Sequence, residues 1–233
     1  VTVTGDTRIE QVIVRFEQSA GGGVSERLRA LGGRLLVLGS TWPPDERLWL
    51  PVLPDLCAEY GDLRVVLCPH EPLPHRLADL EAALALAGLP TARLSTLLAD
   101  PAVDARVVLV DSVGVLAEIY RAGAIAYVGG SFTTGVHNTM EPAVASLPVL
   151  FGPRIDNAEE AGLLVRRGAG WVCARPPEAH DRARALLTDP AACTAAGEAA
   201  RQVVLDQRGA TARTMDVLRP LLAGERPDAP RPR

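Results

Sequence analysis

Six short apolar runs constrain the fold of this chain more than any other feature: residues 35–38, 64–68, 106–110, 125–128, 148–151 and 171–173. None of them alternates polar with apolar side chains. A strand with one wet face alternates, whereas a strand covered on both faces is apolar throughout, as in a parallel sheet. Between the runs lie segments with helical spacing, such as Leu77, Leu80 and Leu84 within 74–88 and Leu116, Ile119 and Tyr120 within 113–123. Further helical stretches cover 138–146, 158–168, 178–187, 189–205 and 210–222. Buried strands alternating with helices predict an α/β fold, a doubly wound, Rossmann-like parallel sheet with right-handed crossovers. The expected domain is 1–222, closed by the helix at 210–222. Residues 223–233, rich in Pro and Arg, carry no core-forming pattern and are expected as a disordered tail.

Composition removes several chemistries. All 24 basic residues of the 233 are Arg, so neither a phosphate-loop lysine nor a Schiff-base lysine is available. The net charge is -4 and aromatics are 4%, which argues against a nucleic-acid partner. Cys57, Cys68, Cys173 and Cys193 form no closely spaced pair; Cys68 and Cys173 sit in apolar runs and read as buried thiols, which suggests a reducing compartment. His70 and His75 stand five apart, and His137 and His180 are remote from them in sequence, so no metal-binding spacing is present and no metal is expected. Gly21-Gly22-Gly23 reads as a loop before a helix and lacks the pattern of a dinucleotide fingerprint. No run of ~18 apolar residues exists that would cross a bilayer.

Ligands of open α/β sheets bind beyond the carboxyl ends of the strands. There this chain reads Gly39-Ser40-Thr41-Trp42, Pro69-His70-Glu71-Pro72, Asp111-Ser112-Val113-Gly114, Gly129-Gly130-Ser131-Phe132 and Gly152-Pro153-Arg154. Small or polar residues after five successive strands point to one shared crevice. The segment from Gly129 to Pro142 is the most informative. Its glycines permit close approach, and it opens a helix whose free N–H groups favour an anion. Glu141 follows Asn138 by three residues, so two readings stay open: a carboxylate for ribose hydroxyls, or the reciprocal partner of an Asn138 cap. Ser112 reads as the N-cap of the next helix.

Taken in order, these segments resemble the C-terminal half of the Kdo transferases, GT-B glycosyltransferases that attach 3-deoxy-D-manno-octulosonic acid to a lipid A precursor. The likeness is carried by Thr4-Gly5-Asp6-Thr7-Arg8, the five loops above, His137-Asn138-Thr139-Met140-Glu141-Pro142, Pro148-Val149-Leu150-Phe151-Gly152-Pro153 and Asp206-Gln207-Arg208-Gly209-Ala210. It implies the C-terminal half of a GT-B fold that binds CMP-Kdo without a metal or other cofactor. Carried over by position, the nucleotide contacts are Pro69, His70, Ser112, Val113, Gly114, Asn138, Thr139, Met140 and Glu141. Gly39, Ser40, Gly129, Gly130 and Ser131 form a further donor-site loop. Helix starts at Ser112 and Asn138 would stabilise the departing phosphate. Many family members have Arg where this chain has His70.

The resemblance places the catalytic base, the lipid A acceptor surface and the membrane anchor in an N-terminal half that these residues do not include. The expectation is therefore a CMP-sugar-binding unit with no catalytic base and no turnover of its own. The full-length protein would be peripheral at the cytoplasmic side of the inner membrane, and this chain alone soluble and cytoplasmic. In that setting the apolar face of the last helix (Val217, Leu218, Leu221, Leu222) would be partly exposed. The alternatives are another GT-B enzyme using a UDP-sugar, or a non-catalytic nucleotide-binding module.

Overall fold

The computed structural model describes residues 2–18 and 22–223, apart from the side chain of Leu221. The segment 224–233, nearly all of the expected tail, lies outside the described residues. Seven parallel strands form one sheet: β1 (Arg34–Thr41), β2 (Leu63–Pro69), β3 (Thr91–Arg93), β4 (Val107–Leu109), β5 (Ile125–Val128), β6 (Val149–Phe151) and β7 (Gly170–Val172). Their order is β3-β4-β2-β1-β5-β6-β7. Each of the six apolar runs supplies a strand, and the doubly wound sheet is the architecture observed.

The strands are apolar throughout because both faces are covered. Leu36 and Leu38 of β1 pack under α3 (Pro43–Trp49), α4 (Leu53–Glu59), α5 (Pro74–Leu86) and α10 (Pro176–Thr188). Leu35 and Val37 face the other way, toward α2 (Gly23–Ala30), α6 (Leu94–Ala99) and α7 (Leu116–Tyr120). That second layer continues beside β5 and β6 as α1 (Arg8–Gln18), α8 (Met140–Val144), α9 (Glu159–Arg166) and α11 (Pro190–Leu205). The shift of one residue that sends a side chain to the opposite face here sends it from one core to another. Cys57, Cys68 and Cys173 are buried free thiols, and burial pushes Cys68 up to about 11 and Cys173 to about 12.

The last helix, α12 (Ala210–Leu222), returns to the start of the chain. The Gly209 N–H donates to Glu10 at 2.6 Å, and Arg213 donates to the Thr4 carbonyl at 3.0 Å. Met215, Val217, Leu218 and Leu222 are exposed on it.

Candidate functional site

The strand order puts β1 beside β5, and their connections leave toward opposite flanks of the sheet. This is the switch point at which a doubly wound sheet opens a crevice. The loop residues expected there are brought together. Gly129 donates its N–H to the Gly39 carbonyl at 2.9 Å. A Cβ on Gly129 would stand 2.3 Å from the Ser40 carbonyl oxygen, so only glycine permits this approach. Ser40 itself lies at φ 52, in a bulge that ends the regular pairing of β1 with β2. Gly130 takes φ +96, and Ser131 accepts the Arg154 N–H at 3.1 Å, tying this loop to the one after β6.

The residue that joins the two sides was not singled out by the sequence. Asp45, fully buried in the first turn of α3, accepts three hydrogen bonds. They come from the Trp42 N–H at 2.9 Å, the Gly130 N–H at 3.0 Å and the Tyr127 hydroxyl at 2.5 Å. Burial and the adjacent Asp45 charge push the Tyr127 phenol up, so it stays a donor. Glu46 beside it pairs with Arg76 at 2.5 Å and accepts the Thr41 hydroxyl at 3.3 Å. Pro43-Pro44-Asp45-Glu46 directly after a strand does signal a helix start. It carries no signal that both carboxylates are buried.

Histidines remote in sequence meet here. His70 stacks on His137 with centroids 4.4 Å apart and planes 9° from parallel. His70 also stacks on Trp42 at 4.8 Å, and the Trp42 indole N–H donates to His137 Nε2 at 2.9 Å. Three loops, after β1, β2 and β5, thus meet in one cluster of rings. Pro69 is buried as the last residue of β2, and the His70 N–H donates to the Thr41 carbonyl at 2.9 Å. Among the described residues no three His, Cys, Asp or Glu side chains gather as a metal site.

Two local expectations are corrected. The reciprocal cap between Asn138 and Glu141 does not form, because α8 begins at Met140 and Glu141 sits one position too early to reach back. Instead the Asn138 oxygen accepts the Met140 N–H at 3.0 Å, and its amide donates to Glu141 at 3.2 Å. Burial pushes the Glu141 carboxyl above its usual range, opposed by the Asn138 amide and the charge of Arg15. Thr139 is buried, and its hydroxyl has no partner among the described residues. Ser112 does not cap α7 either: the helix starts at Leu116 after Val115. Gly114 lies at φ +83, a left-handed turn that cannot be the first turn of a helix, so the cap moves past it. Ser112, Val113 and Gly114 are exposed at the same edge of the sheet. With helices of five residues starting at Leu116 and Met140, any help to an anion comes from individual N–H groups rather than a long helix dipole.

The chain is 31% identical to the 3-deoxy-D-manno-octulosonic acid transferase of Bordetella pertussis over 222 residues, covering 93% of this chain and 51% of that protein. Nearly the whole chain is thus similar to part of a Kdo transferase. The enzyme of the same name from Chlamydophila psittaci is 36% identical over 139 residues, which cover 58% of this chain and 30% of that one. No family model matches the sequence. The chain therefore spans about half the length of the Bordetella relative, and less of the chlamydial one. Among solved structures it is similar to the C-terminal CMP-Kdo binding domain of WaaA from Acinetobacter baumannii, with a TM-score of 0.67 and 23% identity. That match covers 84% of this chain and 98% of the domain, so the architecture is the C-terminal half of a GT-B fold. The UDP-bound MnaA of S. aureus shares the fold, with a TM-score of 0.65 and 16% identity.

Proposed function

We propose that this chain is the donor-binding half of a Kdo transferase, which holds CMP-Kdo for transfer to a lipid A precursor in lipopolysaccharide biosynthesis. The observation that carries the reading is the sequence match to one Kdo transferase over 93% of the chain. The site supports it: the same match spans a switch-point crevice where the loops expected to hold the nucleotide converge. In this reading Pro69 and His70 flank the base or phosphate from the β2 side. Asn138, Thr139, Met140 and Glu141 face it from β5, and Ser112, Val113 and Gly114 close over it from β4. The Glu141 carboxylate accepts ribose hydroxyls. Gly39, Ser40, Gly129, Gly130 and Ser131 leave room for the sugar at the bottom of the crevice.

The chemistry assigned to these residues is on the leaving-group side. The acceptor hydroxyl attacks the anomeric carbon, the bond to the phosphate oxygen breaks, and N–H donors of the crevice take the charge that develops on CMP. No metal is assigned to the step. The general base and the acceptor surface are assigned outside these residues, and the whole enzyme would work at the cytoplasmic face of the inner membrane. Among the described residues no helix is long and apolar enough to cross a bilayer.

Calorimetric titration with CMP, with UMP and CDP as controls, tests the reading. The expected result is selective CMP binding that Glu141→Ala weakens at least tenfold. Equal binding of CMP and UMP would favour the UDP-sugar alternative, and no binding of any of the three would remove the nucleotide reading from the isolated chain.

A further inference from the structure

The rings of Trp42 and His137 lie 20° from parallel with centroids 6.4 Å apart, and the indole N–H donates to His137 Nε2 at 2.9 Å. His70 is stacked on both. The backbone of Trp42 is fixed in turn by the buried Asp45, which accepts its N–H. Trp42 is therefore tied twice to the loop after β5, its backbone through Asp45 to Gly130 and its indole directly to His137.

An indole N–H can only donate, and a ring nitrogen that accepts it carries no proton. One state of His137 satisfies this bond: the neutral ring with its proton on Nδ1. An imidazolium would set N–H against N–H. The surroundings act in the same direction. Burial and His70, stacked from the end of β2, hold the His137 pKa below its usual value, and Asp45, from α3, opposes them. Nδ1 has no protein partner among the described residues.

We infer that Trp42 is a positioning residue of the nucleotide site: it holds His137 as the neutral Nδ1–H tautomer and so makes that N–H the ring's one donor to a phosphate or carboxylate oxygen in the crevice. The inference rests on the nucleotide reading of the same crevice and adds the state in which His137 meets the ligand. Trp42 need not touch the ligand. Its effect is to choose which nitrogen of His137 carries the proton and to keep the ring uncharged.

Long-range proton–nitrogen correlation spectra of the histidine-labelled chain test this without any ligand, with His137→Gln used to assign the signals. The wild-type spectrum is expected to show His137 protonated on Nδ1 and bare on Nε2. Trp42→Phe keeps a ring in the stack and removes the N–H. It is expected to produce a mixture of tautomers, raise the His137 pKa, and weaken CMP binding about three- to tenfold. A wild-type ring protonated on Nε2 overturns the inference even if the variant fails to fold, and so does a Trp42→Phe spectrum identical to wild type. If CMP binds without moving the His137 signals, the ligand-facing role falls and the nucleotide reading stands. If the tautomer is as expected but CMP does not bind, the nucleotide reading falls and takes the role with it.

Discussion

At one edge of the sheet, the loop from Gly129 to His137 is tied at nearly every residue, whereas Ser112, Val113 and Gly114 form no hydrogen bond among the described residues. The second was expected to contact the nucleotide, and Gly129, Gly130 and Ser131 of the first to form a further donor-site loop. The first loop is bound to Gly39 by a backbone bond, to Asp45 by Gly130 and to the β6 loop by Ser131 and Val136. The second leaves Val113 78% exposed. The tied loop is held in one shape by the protein itself. In the proposed reading the untied one would be ordered by the ligand, which subtracts from affinity.

The comparison breaks first at Asp45. Asp45→Ala strands two N–H groups and the Tyr127 hydroxyl in a buried space, and the expected loss is on the order of 3 kcal/mol in urea unfolding. A loss below about 1 kcal/mol would mean that water replaces the carboxylate and that the 129–137 loop is no more constrained than its neighbour.

Glu141 gives an intermediate effect with a definite sign. Its carboxyl is harder to ionise in the fold than in the unfolded chain. The folded state therefore binds the proton more tightly, and this contribution to stability is full at low pH and lost as pH rises through the raised pKa. Glu141→Gln removes the titration. Thermal melts from pH 4 to 8 should show the variant gaining on wild type above the ordinary carboxylate pKa, by about 2 °C at neutral pH, while CMP binds it less well. A difference that does not change with pH would place the carboxylate in solvent, away from the tied region.

Val113 sharpens the comparison from the other side. Val113→Ser should leave stability within about 0.5 kcal/mol, as expected for an exposed position. The same change should lower CMP affinity about threefold in calorimetry, since the open loop acts only when ligand is present. No change in affinity would remove the 112–114 loop from the site.

Much of the fold was legible because continuous apolar runs are a local signal. Each of the six became a strand, and the helices at 74–86, 190–205 and 210–222 follow their apolar spacing closely. Strand β3 was missed because Thr91, Ala92 and Arg93 at a half-buried edge contain no such run. Helix α1 was missed although Ile9, Val12 and Ile13 are spaced for one buried face. The site divides in the same way. The crevice loops could be found because small and polar residues follow each strand. The wrong cap at Ser112 came from reading a favourable residue type without the left-handed turn at Gly114.

The sequence by itself determined that the strands are covered on both faces, that helices separate them, and that a glycine-rich loop follows β5. It also carried the family resemblance, since that depends on motif order alone. Only the tertiary structure decided that Asp45 is a buried acceptor shared by two loops, and that His70 lies flat on His137 beside Trp42. Apolar periodicity and capping preferences act over a few residues, so they appear in any short window of sequence. Which loops become neighbours depends on crossovers that set the strand order, and the state of a buried carboxylate or imidazole depends on the neighbours those crossovers bring.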